Sequence, residues 1–372
     1  MSLSDMKNIL FLGGLGCGGA ENQMSVVATL LAQTNNVYFI YTGDDEYCSA
    51  ILRTSQVKLI KLAIPKIYTF FKITRIYILF KILTFVHKEK INTIISFLDI
   101  WNFIACAVAA IYRNDIKSVI GIRNARSDIY TTINGRLNTS LNKYAYAIVS
   151  NSYNGIDVYK KYKSPSNTRF ETIYNIIKPL SVSSIYTARN KGKLSICIPA
   201  SYREVKNPYR LIEAINNLTD LEKNILQVSW YGRISSDNIE VYSRMQDLVN
   251  SYYLQDCFKI YDANENIADV MLISDFVGLF STSEGLPNSI CEAMSLGKPV
   301  VMSMVSDYGI LVDDGITGYV CDPYDVNDIS NVLRKCISLS NDEILDMGRK
   351  AKNKAEMLFS DSVILEKWQN LI

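Results

Sequence analysis

The chain has a single histidine, His87, among 372 residues, and this scarcity narrows the possible chemistry. An HExxH zinc site needs two histidines, and a Ser-His-Asp triad would have to use His87. That residue lies in a lysine-rich run of helical character, so we do not expect it to be catalytic. No Asp-x-Asp pair is present, so we expect a mechanism that does not depend on a metal.

The sequence has no cysteine pair of the CxxC type, and its first residues are not expected to be a leader. Its eight cysteines are scattered, with no CxxC pair and no spacing typical of metal ligands. Several stand inside apolar runs, which predicts buried, reduced thiols in a reducing compartment. The first residues lead directly into an apolar strand that ends at glycines, without the cleavage pattern of a signal peptide. We therefore expect a cytoplasmic protein.

Charge is unevenly placed along the chain. Residues 1–180 contain 21 Lys/Arg and 11 Asp/Glu, whereas the remainder contains 18 and 26, so a basic half precedes an acidic one. A basic half indicates an anionic partner, either a membrane surface or an anionic substrate. No recognised nucleic-acid-binding motif accompanies the charge, so we do not expect nucleic acid as the partner.

Short apolar strands alternate with helical segments, which is typical of a parallel sheet with helices on both faces. The predicted strands of the first half are Asn8–Leu12, Val37–Tyr41, Thr93–Phe97, Val119–Ile122 and Ala147–Ser150. Those of the second half are Leu194–Ile198, Gln227–Tyr231, Phe258–Tyr261, Phe276–Phe280 and Pro299–Met302. The pattern begins again after the polar stretch 181–193, which predicts a linker there and an α/β protein of two doubly wound, Rossmann-like domains.

A glycine cluster follows the first predicted strand, in the run Gly13-Gly-Leu-Gly-Cys-Gly-Gly-Ala-Glu21. Gly14, Gly16 and Gly19 have the GxGxxG spacing, and glycines at such a place let the backbone approach a phosphate at a helix N-terminus. An acid, Asp44, follows the second strand. A nicotinamide-binding Rossmann domain is therefore one interpretation of the cluster, and a plain tight turn is another.

A second motif, Ser281-Thr-Ser-Glu-Gly-Leu-Pro-Asn-Ser-Ile-Cys-Glu-Ala-Met-Ser-Leu-Gly-Lys-Pro-Val-Val301, is more specific. It predicts a strand, a glycine loop, a helix and another strand. A solvated loop carboxylate is the local alternative for Glu284, and a capping box, Ser289-x-x-Glu292, is the alternative for Glu292. Neither alternative accounts for the whole run of loop glycine, Pro287, Asn288 and small residues.

This run resembles the donor-site signature of retaining glycosyltransferase family 4, whose members have the two-domain GT-B fold. Shorter matches extend the resemblance over nearly the entire chain, and they are Gly18-Gly-Ala-Glu21, Val149-Ser-Asn-Ser152, Ile173-Tyr-Asn-Ile176 and Arg203-Glu-Val-Lys206-Asn-Pro. The resemblance implies an N-terminal acceptor-binding domain, 1–180, and a donor-binding domain, 181–357, facing each other across a cleft. It also implies that the final helix, within 358–372, returns to the first domain.

The resemblance assigns roles in the donor site. Glu292 would bind the ribose hydroxyls of a nucleotide and Glu284 the hydroxyls of the transferred sugar. Backbone amides of the loop Gly285, Leu286, Pro287 and Asn288 would contact sugar and phosphate, and Gly18 and Gly19 would approach the diphosphate from the other domain. No cofactor is implied, because the nucleotide sugar is a substrate and the leaving phosphate takes the acceptor proton.

Arg203 and Lys206 stand just before a helix predicted to begin at Asn207, with Asn207 as its cap and Pro208 in its first turn. The helix dipole disfavours cations at this end, so an anion held between them and the helix explains them better than a solvated pair. Cations placed there would stabilise the charge that develops on a departing diphosphate.

The acceptor side departs from the family pattern. Many members have a histidine near the reacting sugar, where this chain has Arg123 and Asn124, so Arg123 is expected to bind a phosphate or a sugar hydroxyl of the acceptor. An ordinary basic residue after a strand is the alternative.

The basic, aromatic stretch Lys58–Lys90 is expected either to pack as a core helix with snorkelling lysines or to contact an anionic membrane.

These expectations combine in one hypothesis of function. The chain would transfer a hexose or N-acetylhexosamine, with retention, from a nucleotide sugar, by family preference a UDP-sugar, to a polyprenyl-diphosphate-linked saccharide. It would act at the cytoplasmic face of the membrane in cell-surface polysaccharide synthesis of the O-antigen or capsule type. A sugar-nucleotide epimerase of the same fold, a nicotinamide-dependent oxidoreductase and a non-catalytic sugar-nucleotide-binding protein remain the alternatives.

Overall fold

The computed structural model describes residues 6–15, 19–43, 52–66, 73–112, 115–123, 128–163, 168–177 and 192–372. The chain divides into two compact units, Met1–Ile176 with Asp361–Ile372, and Ile177–Ser360. The domain boundary predicted at residue 180 lies outside the described residues. The segment 358–372, predicted to return to the first domain, compares with Asp361–Ile372 in the structure.

Within the described residues, the first unit is built on a sheet whose strand pairs are all parallel, in the order β3-β2-β1-β4-β5-β6-β7. The strands are β1 Asn8–Gly14, β2 Asn36–Thr42, β3 Lys58–Lys61, β4 Thr93–Ser96, β5 Lys117–Ile122, β6 Ala147–Ser150 and β7 Arg169–Thr172. The inner strands are buried on both faces, because helices cover the sheet, and they therefore have unbroken apolar sequences.

The helices of this unit are α1 Gly19–Leu31, α2 Thr74–Lys88, α3 Asp99–Ile111, α4 Asp128–Thr131, α5 Ile133–Asn138 and α6 Tyr153–Tyr162. The core beneath α2 and α3 is apolar, and Ile78, Ile82 and Ile104 are buried in it. α6 begins at a side-chain cap, because the Ser152 side chain accepts a hydrogen bond from the amide of Gly155.

In the second unit the strand order is β10-β9-β8-β11-β12-β13, again with parallel pairs. The strands are β8 Leu194–Pro199, β9 Leu226–Tyr231, β10 Phe258–Tyr261, β11 Phe276–Leu279, β12 Val300–Ser303 and β13 Gly318–Cys321. The helices are α7 Pro208–Asn216, α8 Asp220–Ile225, α9 Ile239–Ser251, α10 Ile267–Ile273, α11 Asn288–Ser295, α12 Tyr308–Leu311, α13 Val326–Ser338 and α14 Asn341–Phe359.

A last helix, α15 Asp361–Gln369, belongs to the first unit. Its Trp368 is almost fully buried and packs on Phe97, with 5.7 Å between the ring centroids. Lys367 donates a hydrogen bond from Nζ to the backbone oxygen of Thr172, at 3.3 Å. This helix is thus packed against the carboxyl ends of β4 and β7.

In each sheet the order in which successive strands are added changes side at one place. In the first unit β4 returns to the free side of β1, and in the second β11 returns to the free side of β8. At such a switch point the loops after the two neighbouring strands leave in opposite directions and open a crevice at the carboxyl ends of the strands. The loops after β1 and β4, and those after β8 and β11, are therefore the natural places for ligands.

All ten predicted strands are present, and the described residues contain three others that were not predicted. All three are short edge strands, and β3 and β7 also have exposed charged residues, so none of them has the long apolar run of an inner strand. The stretch Lys58–Lys90 is not one helix, because it contains β3 and α2. Its residues Phe70, Phe71 and Lys72 lie outside the described residues.

Two glycines allow α14 to pack closely against the turn that follows α11. Gly297 has a positive φ of 77° and ends α11, and a Cβ added at Gly348 would lie 2.2 Å from the Gly297 backbone oxygen and 3.2 Å from Pro299 Cδ. Because those neighbours are backbone and ring atoms, they cannot move aside as a flexible side chain would. The position of α11 in the second unit therefore depends on the missing side chain at Gly348.

Gly348→Ala is accordingly expected to lower the free energy of unfolding of the second unit by about 1 to 3 kcal/mol, the usual range for overpacking. Urea denaturation followed by circular dichroism measures the change. Gly309→Ala is the matched control, because a Cβ there meets no atom within 4 Å. The control should be neutral or slightly stabilising, and equal losses in both variants would contradict this account of the packing.

Candidate active site

Two loops that are distant in sequence meet at the switch point of the second unit. One follows β8 and contains Arg203 and Lys206, and the other follows β11 and contains Glu284. The amide of Thr282 donates a hydrogen bond of 2.8 Å to the backbone oxygen of Val205, which ties the two loops together. The pairing of β8 with β11 thus brings two of the predicted sequence motifs to one place.

Glu284 is held by an ion pair. Lys206 Nζ lies 2.5 Å from Glu284 Oε1, and the side chains of the two residues are 21% and 14% exposed. Ser281 Oγ donates to the same oxygen at 2.7 Å. The alternative of a solvated loop carboxylate for Glu284 is therefore wrong. Both contacts use Oε1, and Oε2 has no partner among the described residues, so that oxygen can accept hydrogen bonds from a ligand.

Further serines fix the backbone on either side of Glu284. Ser303 Oγ, at the end of β12, donates to the backbone oxygen of Ser281 at 2.6 Å. Ser306 Oγ donates to the backbone oxygen of Gly285. Ser306 has a φ of 54°, an uncommon backbone conformation for a residue with a side chain, and such conformations cluster at functional sites. The loop is thus fixed by the neighbouring strand end.

Asn207 is the N-cap residue of α7 and Pro208 lies in the first turn, as predicted, but the Asn207 side chain makes no capping hydrogen bond. It lies in the left-handed region with a φ of 59°, and its Nδ2 donates to the backbone oxygen of Pro323 at 2.7 Å. The side chain is used to hold this turn, so no side chain caps the start of α7. Arg203 is exposed, and within the described residues its guanidinium has no partner. A cation and the amino end of a helix therefore stand together, and both attract an anion.

Glu292 lies on α11, and it is not part of a capping box. The N-cap of α11 is Pro287, which makes no side-chain capping bond, and Ser289 lies inside the helix. Among the described residues the Glu292 carboxylate has no hydrogen-bond partner, and burial raises its pKa to about 7. A partly buried carboxyl group that has no partner is unfavourable for folding, and it is free to receive hydroxyl donors of a ligand.

The segment between the two glutamates forms the turn into α11. Leu286 and Pro287 are buried, and Gly285 and Asn288 are partly exposed. Because no side chain caps α11, its first amides point towards this turn. The second unit therefore contains Glu284, Glu292, Arg203, Lys206 and the loop between the glutamates at the carboxyl side of one sheet.

The remaining predicted residues belong to the first unit. Gly18 and Asn124 lie outside the described residues. Gly19 is the first residue of α1, after the loop that follows β1. Arg123 directly follows β5, and its guanidinium carbon lies 3.5 Å from the centroid of the Phe97 ring. These residues occupy the carboxyl side of the sheet of the first unit.

Some residues that shape the site were not predicted, namely Ser281, Ser303, Ser306 and the left-handed Asn207. A signal existed only for Ser281, because Ser281-x-x-Glu284 has the spacing of a capping box without a helix after it. The others act through partners that only the tertiary structure brings near.

In the described part of the chain no group of three or more His, Cys, Asp or Glu residues is arranged as a metal site. The six described cysteines are buried and free, as predicted.

The raised pKa of Glu292 has a consequence for stability. Folded protein binds a proton here more tightly than unfolded protein does, so the free energy of unfolding falls as pH rises from 4.5 to about 7. Glu292→Gln cannot take up or release this proton, so its free energy of unfolding should not fall in this way. We expect that free energy to equal the parent's near pH ~4.5 and to exceed it by about 2 to 3 kcal/mol near pH ~8. Urea denaturation at both pH values measures the difference. Glu356→Gln, at an exposed position on α14, is the control that should show no pH-dependent change.

Comparison with known proteins places this geometry in context. The family of glycosyl transferases group 1 matches residues 185–354, which contain the whole site of the second unit. N-acetyl-alpha-D-glucosaminyl L-malate synthase of Bacillus anthracis is 24% identical over 216 residues, 55% of this chain and 54% of that protein. The UDP-Gal:alpha-D-GlcNAc-diphosphoundecaprenol alpha-1,3-galactosyltransferase of Escherichia coli is 25% identical over 154 residues, 40% of this chain and 37% of that one.

The chain thus spans between about a third and about a half of the length of these curated relatives. Among solved structures, Anabaena HepE in complex with UDP is similar over 98% of this chain and 99% of that one, with a TM-score of 0.79 and 17% identity. At this identity the likeness shows the fold, which is the predicted pair of parallel-sheet, Rossmann-like domains.

The two parallel sheets and the segment matched by the family model lead to the same conclusion about the fold. The chain has the GT-B fold, and its residues 185–354 are similar to the family of glycosyl transferases group 1.

Proposed function

We propose that the chain is a retaining glycosyltransferase that takes a hexose or N-acetylhexosamine from a UDP-sugar and forms an α-glycosidic bond. The observation that carries the proposal is the Lys206–Glu284 ion pair beside the unpartnered Glu292. The Glu284 carboxylate is fixed in position and has one oxygen without a protein partner, and the partly buried Glu292 carboxylate has no partner on either oxygen among the described residues. Two such acceptors suit the many hydroxyls of a nucleotide sugar.

The nucleoside end of the donor is assigned to Glu292. A carboxylate that accepts hydrogen bonds from two ribose hydroxyls exchanges an unpaired buried charge for charge-assisted hydrogen bonds. The preference for UDP over GDP rests on the resemblance and on the UDP bound to HepE. The transferred sugar is assigned to Glu284, whose Oε2 faces no protein partner among the described residues.

The cations of the site stabilise the diphosphate as it leaves the sugar. When the bond from the sugar to the diphosphate breaks, its electron pair stays on the diphosphate, and the negative charge on that group increases. Arg203, Lys206 and the uncapped start of α7 stabilise this charge. The acceptor hydroxyl attacks on the face from which the diphosphate leaves, and its proton passes to a diphosphate oxygen. We propose that this step uses neither a metal nor a cofactor.

The acceptor is proposed to be a saccharide on a polyprenyl diphosphate, in the synthesis of a cell-surface polysaccharide. The Escherichia coli relative is named for a diphosphoundecaprenol acceptor. The Bacillus relative is named for L-malate, which is also an anion. An anionic acceptor suits the basic first half of the chain, which has a formal net charge of +10 over residues 1–180.

Donor binding tests the proposal directly. In titration calorimetry UDP should bind the parent and Glu356→Gln equally, and at least ~10-fold more weakly to Glu292→Gln, which is a loss of about 1.4 kcal/mol. The affinity of the parent should fall as pH drops below about 7, because the carboxylate becomes protonated, whereas the affinity of Glu292→Gln should change less with pH, through the terminal phosphate of UDP alone. Unimpaired UDP binding by Glu292→Gln at every pH would contradict the assigned site.

Glu284→Gln tests the transfer step separately. The kcat of this variant for sugar transfer should fall by about 10²-fold, the loss typical of one electrostatic contact in an active site. UDP lacks the sugar and should still bind, although the new amide no longer balances the charge of Lys206. A panel of UDP-sugars, with and without acceptor, measures release of UDP. Turnover of the donor to another sugar nucleotide without an acceptor would indicate an epimerase, and NADH binding without UDP binding would indicate an oxidoreductase.

A docking face for the membrane is proposed on the first unit. In the described part of the chain no helix is long and apolar enough to cross a bilayer. Large apolar side chains are nevertheless exposed on α2 and α5, namely Ile76 and Phe80 at 69% and 65%, and Ile133 and Leu137 at 87% and 49%. The two helices are joined where Arg75 Nη2 donates to Asn138 Oδ1 at 2.9 Å.

The segment that contains β3 and α2 also has exposed lysines, and they are Lys58, Lys61, Lys66, Lys81, Lys88 and Lys90. Apolar side chains enter the headgroup region, and each cation near an anionic surface adds about 1 kcal/mol of attraction. We therefore propose peripheral, reversible binding to the anionic cytoplasmic face of the membrane, and the apolar residues determine which side of the unit touches it.

Vesicle co-sedimentation tests the docking face. The parent should bind phosphatidylglycerol vesicles at low salt, less at high salt as the Debye length falls below ~8 Å, and little to neutral phosphatidylcholine. The double variant Ile76→Asn, Phe80→Asn should bind at least ~10-fold more weakly, since burying each such side chain is worth about 1.5 to 3 kcal/mol. Leu221→Asn, at a position of the second unit that is 79% exposed, is the matched control. Equal binding to both lipids, or no binding, would remove the docking proposal and leave the transferase proposal standing.

A further inference from the structure

Arg123 has an unusual environment at the carboxyl side of the first sheet. Its guanidinium lies over the ring of Phe97, with 3.5 Å between the guanidinium carbon and the ring centroid. Nη1 donates to Asn175 Oδ1 at 3.2 Å. The Nε atom is buried and has no hydrogen-bond partner. One face and one edge of the guanidinium are thus fixed by the protein, and a donor on the remaining edge is unused.

No carboxylate among the described side chains pairs with this guanidinium. Asn175 is a neutral partner, and the ring beneath is apolar. Burial lowers the pKa of Arg123 to about 9, which leaves the group cationic at neutral pH. A buried charge with no counter-charge is costly to fold, and a bound anion removes that cost.

The surrounding packing holds this arrangement in place. A Cβ at Gly121 would lie 2.4 Å from Phe97 Cδ1, so the ring occupies space that only a glycine leaves open. On its other side Phe97 packs against the buried Trp368 of α15. Asn175 itself is buried. The guanidinium therefore rests on a rigid platform, and its unused donor is fixed in direction before any ligand arrives, which favours binding.

We propose that Arg123 forms a binding site for an oxyanion, a phosphate or a carboxylate, and that the substrate of the first unit is therefore an anionic acceptor. The inference rests on the proposed function and deepens it, because a hydroxyl group would satisfy the Nε donor but would leave the charge uncompensated. A planar guanidinium pairs best with the planar or tetrahedral oxygens of an oxyanion. The acceptor's anionic group, rather than its sugar, would then determine which acceptors are used.

Two variants separate binding of an anion from general damage to the unit. Arg123→Gln removes the charge. Asn175→Asp instead places a carboxylate where the amide oxygen now lies 3.2 Å from Nη1, so the protein supplies its own counter-charge. Asn175→Asp should be at least as stable as the parent and yet lose the anion, a combination that a merely structural role would not give. Arg136→Gln, at an exposed arginine of the same unit, is the matched control.

The probes are inorganic phosphate and malate, titrated by calorimetry with saturating UDP present to occupy the other phosphate site, and again without UDP. At least one probe should bind the parent and Arg136→Gln, and bind at least ~10-fold more weakly to both Arg123→Gln and Asn175→Asp. Preference for phosphate indicates a phosphorylated acceptor, and preference for malate a carboxylic acid. Unchanged binding in Arg123→Gln, or no binding of either probe to the parent, overturns the proposal.

Acceptor kinetics give a second readout. With an anionic acceptor, Arg123→Gln should raise the KM at least ~10-fold, whereas the KM of the donor, which binds in the second unit, should not change. Equal kinetics in the parent and in Arg123→Gln would overturn the inference. If UDP binds no form of the protein, the proposed function fails, and the titrations without UDP still decide whether Arg123 binds an anion.

Discussion

The contact between Lys206 and Glu284 determines the arrangement of the second unit's site. It joins the loop after β8 to the loop after β11, the two places that a switch in strand order leaves open. Ser281 donates a further hydrogen bond to the paired oxygen of Glu284, which adds to the stability of this partly buried ion pair. Removing either partner would leave the other charge uncompensated, at a cost of about 3 to 5 kcal/mol when such a pair is buried. Both loops therefore keep their shape only together.

The partly buried charged groups of the proposed sites differ in whether they have a counter-charge. Lys206 and Glu284 compensate each other, whereas Glu292 and Arg123 are desolvated and lack a counter-charge among the described residues. Folding alone does not favour such unpaired groups, because burial without a partner is unfavourable. Natural proteins tolerate such violations mainly at functional sites. The compensated pair thus provides a fixed frame, and the uncompensated groups mark where ligands are expected to bind.

The inner strands were predictable from the sequence because burial on both faces makes them continuously apolar, as in β1, whose five central residues are all buried. The edge strand β3 was not, because its lysines face solvent. The same contrast applies to the site. Glu284 and Glu292 belong to one continuous motif, whereas the contacts of Asn207 with Pro323 and of Ser306 with Gly285 join residues 116 and 21 positions apart. No local pattern specifies such partners, and the uncommon backbone of Ser306 is only meaningful once its partner is known.

The charge distribution can be understood at two length scales. Residues 181–372 carry a formal net charge of −8, and a nucleotide diphosphate is itself an anion, so the long-range field of this half opposes the proposed donor. Binding there must come from short-range contacts, which Arg203, Lys206 and the uncapped start of α7 can supply, and which salt screens less than it screens distant charges. The first half has the opposite sign, so its field attracts an anionic acceptor or membrane from a distance. Arg123 then acts only at contact, where the unpaired guanidinium selects among the anions that the field has gathered.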